Sequence, residues 1–151
     1  MFQNREHDII VINSLITTTI DSADGFERSA ENAQGTDIEQ LFSDFARERR
    51  QLVARLQEHV RMLGGTPEDD GSIKAGLHRR FEDLRNAFSS GDKAVIEEVE
   101  RGEDYIKAKY EAALEDDKLD AECRVIIQEA YQSVRAGHDR ASRLKHSFQG
   151  A

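Results

Sequence analysis

A single proline, Pro67, stands in a chain of 151 residues. Proline removes a backbone donor and its ring clashes with the preceding turn, so helix interiors exclude it. A chain of this length with one proline is free to run in very long helices. The apolar residues follow the same plan. Ile9, Ile12, Ile16, Ile20, Ala23 and Ala30 recur at intervals of three, four and seven, the period of one helix face. β-Branched residues do not gather into alternating runs, and tryptophan is absent. The expected fold class is all-α.

Glycines and capping residues divide the chain into five helical segments. The first spans about 5–33 and ends at Gly35. Thr36 opens the second, 36–63, as the start of a capping box in which Glu39 reaches back. Its face carries Leu41, Phe45, Leu52, Leu56, His59 and Leu63. Gly64-Gly65 stops it, because glycine takes a left-handed C-cap at no steric cost. Residues 66–71 are loop, and Ser72 caps a shorter helix, 73–88, with Leu77, Phe81, Leu84 and Phe88 in line. Ser89-Ser90-Gly91 breaks that helix. Asp92 caps the next, 92–115, whose inward line is Ile96, Val99, Ile106, Tyr110 and Ala113. After a turn at 116–118 the last helix runs 120–148, with Ile127, Tyr131, Val134, Ala141, Leu144 and Phe148 on one face.

A short turn at Gly35 makes the first two long helices antiparallel. The short helix decides the rest. About 16 residues of helix span roughly 24 Å, enough to run back along a bundle. The third long helix then starts at the end where the second began. On this reading residues 1–151 form one ferritin-like four-helix-bundle domain, up-down-down-up, with a helical crossover between helices 2 and 3. The rival arrangement is a plain up-down bundle with the short helix folded across one end.

Charge limits the partners. There are 21 basic and 30 acidic residues, a net charge of −9, which repels nucleic acid and anionic membranes alike. The lone cysteine, Cys123, forms no intrachain disulfide and fits a reducing, cytoplasmic location as a small residue on a helix face. The run Ile9–Ile12 is too short for a signal segment or a membrane span. No nucleophile with a base partner, phosphate-binding glycine loop or CxxC pair is visible, so hydrolase, kinase and redox-disulfide readings lack support.

Each long helix interrupts its apolar line with one polar residue: Glu27, Glu48, Glu103 and His138. In the crossover topology these lie within about four residues of one level, roughly 6 Å along the axis. Carboxylates and an imidazole at one depth suit iron, manganese or zinc. The alternative is a buried salt-bridge network in which Arg49, Arg50 or Arg135 neutralises the glutamates. Tyr105, Tyr110 and Tyr131 either flank this level or fill the core, and His59 and His78 are expected to pack or to face solvent.

Five short segments carry a resemblance across most of the chain: Asp21-Ser22-Ala23-Asp24-Gly25, Glu48-Arg49-Arg50, Gly64-Gly65-Thr66-Pro67, Arg101-Gly102-Glu103-Asp104 and Gly137-His138-Asp139. In their order and spacing the chain resembles the ferritin-like superfamily, and within it a bacterial family of four-helix-bundle proteins of unknown function. The resemblance implies a fold and no activity. Di-iron members of the superfamily take one Glu from each of two helices and a Glu-x-x-His pair from the other two. Glu27 and Glu103 match the single-Glu roles, whereas Gln51 stands where a His is wanted and Arg135 where a Glu is wanted. The first expectation is thus a non-enzymatic, ferritin-like protein with a stress-related role that self-associates as a homo-oligomer. The second is a metal-binding protein holding Fe, Mn or Zn through Glu27, Glu48, Glu103 and His138. The third is a protein-interaction module.

Overall fold

In the computed structural model the chain is described over residues 2–71 and 78–149, with side chains over 5–71 and 83–147. The expected cap at Ser72, the helix start at Ile73 and the inward positions of Leu77, Phe81 and Phe148 lie outside the described residues or side chains. Five helices are present, with no strand among the described residues: α1 Phe2–Glu31, α2 Thr36–Met62, α3 His78–Ser90, α4 Asp92–Leu114 and α5 Ala121–Gln149.

The capping of α2 departs from expectation. The N-cap is Gly35 and no side chain of α2 caps it, so the Thr36–Glu39 box does not form. Asp92 takes its place from across the molecule, accepting from the backbone N–H groups of Gln34 at 2.9 Å and Gly35 at 3.0 Å. A carboxylate is a stronger acceptor than a hydroxyl and also complements the positive end of α2. Asp92 is therefore not the cap of its own helix. That position is Gly91, whose φ of +100° is open to glycine.

This contact fixes the start of α4 beside the turn between α1 and α2. At the other end, His7 on α1 bonds Asp116 after α4 at 2.6 Å, and the N–H of Asp120 before α5 donates to Asp8 on α1 at 3.2 Å. α2 and α4 therefore leave the Gly35 end together and run in the same sense, while α1 and α5 run towards it. The chain must climb the molecule between α2 and α4.

It climbs in two stages. α2 ends in a Schellman motif: Gly64 donates to Arg61 and Gly65 to Val60, with Gly64 at φ +85°. A strap then follows α1 upwards. Gly65 sits so close to Ile9 that an added Cβ would meet its Cδ1 at 2.8 Å. Asn13 bonds Thr66 and Glu68, and Gly71 lies against Asp21. Twelve residues of α1, about 18 Å of rise, are thus covered by extended chain. α3, described from His78 and ending at Ser90, two residues past the expected end, finishes the ascent and packs on α4.

The apolar interior falls into two clusters. One holds Ile12, Ile16, Leu52, Leu56, Ile106, Tyr110, Cys123, Ile127 and Val134. The other, nearer the Gly35 turn, holds Phe26, Phe42, Phe45, Leu84, Ile96, Val99 and Ala141. No described helix is long and apolar enough to cross a membrane.

Candidate functional site

Between the two clusters lies a layer of buried polar side chains. α2 places Arg49 there because the steps from Phe45 to Arg49 to Leu52 continue its inward face. α4 places Glu103 on the matching line of Val99, Glu103 and Ile106. Arg49 Nη2 donates to Glu103 Oε2 at 2.6 Å, and the two side chains are 1% and 2% exposed. Arg49 Nη1 also donates to Ser22 Oγ on α1 at 3.2 Å, and its guanidinium lies 5.6 Å from the Phe26 ring centre. From α5 comes Gly137, where an added Cβ would meet Arg49 Nη2 at 2.5 Å and Glu103 Oε2 at 3.3 Å. All four long helices thus close on one ion pair. One helical turn earlier on α1, Thr19 and the Tyr110 hydroxyl share a buried 2.7 Å hydrogen bond.

Burial pushes the Glu103 carboxyl above the usual glutamate range, and Arg49 opposes it by charge and hydrogen bond. Burial also pushes Tyr110 up to about 12, so its hydroxyl stays neutral.

Of the four residues expected to converge, only Glu103 enters the layer. Glu27 is exposed and accepts from Arg50 Nε at 3.0 Å, while Arg50 also bonds Asp24 at 2.5 Å. Glu48 is partly exposed and lies 3.4 Å from Arg140, whose guanidinium covers Phe45 at 4.5 Å. His138 points to Asp104, with Nε2 2.5 Å from its Oδ1, and not to Glu103. Among the described residues, no group of three or more His, Cys, Asp or Glu side chains is arranged to hold a metal ion. On α2 Arg49 rather than Glu48, and on α5 Gly137 rather than His138, is the inward residue. One residue is about 100° around a helix, enough to turn a core position to the surface. Arg135, the expected neutraliser on α5, is exposed. Tyr105 is exposed as well, and Tyr131 donates to Glu111 on the flank at 2.7 Å.

A second buried polar group sits towards the far end. His59 Nε2 lies 3.3 Å from Cys123 Sγ, a pairing of nucleophile and base that spacing along the chain does not reveal. Both residues are buried, and burial together with the Asp8 carboxylate pushes the thiol up to about 12. The sulfur is therefore kept as a thiol, the unreactive form. Asp8 is fully buried, and its Oδ2 has no hydrogen-bond partner among the described residues.

A cleft of about 100 Å³ opens beside the Arg49–Glu103 pair, between α1, α3 and α4, with Ser22, Gly25, Phe26, Leu84 and Gly102 among its walls. Among the described residues the layer offers no free nucleophile or base. Its acid is held by a cation and its hydroxyls by neighbours.

Compared with known families, residues 8–116 match the model described as a domain of unknown function, DUF2383. The match runs from α1 through the turn after α4. No curated protein matches the chain.

Proposed function

The chain belongs to the DUF2383 family, a domain of unknown function, and from that premise we propose a non-catalytic, ferritin-like four-helix bundle whose centre is held by an internal cation. The ferritin-like reading is supported by the shared direction of α2 and α4, by the strap and α3 between them, and by the Asp92 contact that ties the start of α4 to the α1–α2 turn. A di-iron centre in such a bundle needs inward carboxylates from every long helix. Here the residues do not fit one. α1 and α2 turn Glu27 and Glu48 outwards, α4 supplies Glu103 alone, and Arg49 fills the space between.

The observation that carries this reading is the 2.6 Å Arg49–Glu103 bond between two almost wholly buried side chains. A guanidinium there does what a metal ion does in related architectures: it offsets a carboxylate that burial would otherwise make costly. Metal content is the test. Protein expressed with added iron, manganese and zinc and purified without chelator should carry them far below one equivalent. Its melting temperature should not change after EDTA dialysis. One or more equivalents of metal, lost on Glu103→Gln, would overturn the reading.

A further inference from the structure

We propose that the open seam between α2 and α5 is the surface through which two copies of this chain associate, about a twofold axis parallel to the bundle. The pairs α1/α2 and α4/α5 pack as close hairpins, whereas α2 and α5 approach one another at few points. A groove of about 200 Å³ is left between them. Leu52, Leu56 and Ala130 give it an apolar lining, and Ile126 and Met62 stand beside them. Met62 is 70% exposed. A large apolar side chain therefore faces solvent on the wall of this apolar groove. An apolar surface gathered in this way marks an interaction site more often than scattered residues do.

The charges on the rim identify the occupant. Arg55 on α2 and Glu129 on α5 both line the groove and are exposed. Glu58, the other acid on the rim, is already held by Arg61 at 3.5 Å. The register follows from the His59–Cys123 contact. With 59 opposite 123 and the helices antiparallel, Arg55 lies opposite residue 127, and Glu129 is about 3 Å further along. Side chains lean towards the N-terminus of their own helix, so Arg55 and Glu129 lean to a common height.

A twofold axis lying in the seam lays α2 of one copy over α5 of the other at unchanged height. Arg55 then faces Glu129 of the second copy, and symmetry repeats the contact. Cation meets anion at both contacts, so the surface is complementary to itself. The proposal is independent of what holds the bundle's centre.

Light scattering coupled to size exclusion, from low micromolar to submillimolar protein, tests it against the 17.1 kDa chain mass. The expected result is a concentration-dependent species of twice that mass. Arg55→Glu and Glu129→Arg each turn both symmetric contacts into repulsions, so each should weaken association about ten-fold or more. The double variant restores opposite charges and should recover the wild-type affinity. Both positions are exposed, and circular dichroism checks that each variant folds. A wild type that stays monomeric overturns the proposal. So does a dimer with the same affinity in Arg55→Glu, or a double variant no tighter than the single ones.

Discussion

Replacing Arg49 by methionine would strand Glu103 in the interior. Arg49 and Glu103 are 1% and 2% exposed, so solvent screens the pair very little. Removing one partner of such a pair costs about 3–5 kcal/mol. In a domain of this size about 2–4 °C of melting temperature goes with each kcal/mol, so the fall should be roughly 6–20 °C. Glu103→Leu alone should cost a similar amount by stranding Arg49. The double variant Arg49→Met/Glu103→Leu joins the two apolar clusters, and it should stay within about 1–2 kcal/mol of wild type or exceed it. The coupling between the two sites is then several kcal/mol, measurable by urea denaturation followed by circular dichroism. A pH series gives the sign. With Arg49 gone, burial of Glu103 loses its main opposition and the carboxyl titrates higher than in the wild type. A carboxyl raised in the folded state contributes stability that is full below its unfolded value, about 4.3, and is lost as pH rises through the folded value. The deficit of Arg49→Met should therefore be largest at neutral and alkaline pH and narrow as pH falls towards that value. An Arg49→Met cost below about 1 kcal/mol, the range of exposed pairs, would refute the reasoning. So would a double variant that loses the sum of the two single losses.

Three glycine substitutions should divide by what their Cβ meets. Gly137→Ala drives a methyl to 2.5 Å from Arg49 Nη2 and should lose about 1–3 kcal/mol despite its better helix propensity. Gly25→Ala and Gly102→Ala meet nothing within 4 Å and should each gain about 0.5–1 kcal/mol, read by urea denaturation. Burial raises the Asp8 carboxyl, so Asp8 contributes stability that is full below its unfolded value and is lost as pH rises through the folded one. Asp8→Asn should accordingly melt higher than wild type at pH 8, with the difference closing as the medium is acidified. Cys123, buried and held as a thiol, should react with a disulfide reagent at neutral pH only at the rate of unfolding, and at once in denaturant.

The long helices were legible because their signal is redundant. Many apolar positions repeat one period, and glycines at 35, 64 and 91 mark the breaks. The connection between α2 and α4 was less legible, because it begins with an extended strap that carries no periodic signal. The rotation of each helix was harder to read. In α2, Phe45–Glu48–Leu52 and Phe45–Arg49–Leu52 are equally good inward lines by spacing, and only packing against other helices separates them. The same ambiguity sets Gly137 against His138 on α5. One signal was available. A glycine inside a long helix costs about 1 kcal/mol relative to alanine, so Gly137 points to a large neighbour at that height, which is Arg49. The His59–Cys123 contact joins residues 64 apart in sequence and has no local signature.

Crystals grown from protein expressed with iron, manganese and zinc, measured on both sides of each absorption edge, would look directly at the centre of the bundle. The guanidinium of Arg49 should stand within hydrogen-bond distance of Glu103, with no anomalous peak beside the carboxylate. A peak at metal–ligand distance from Glu103, with Arg49 swung away, would contradict an interior held by its own cation.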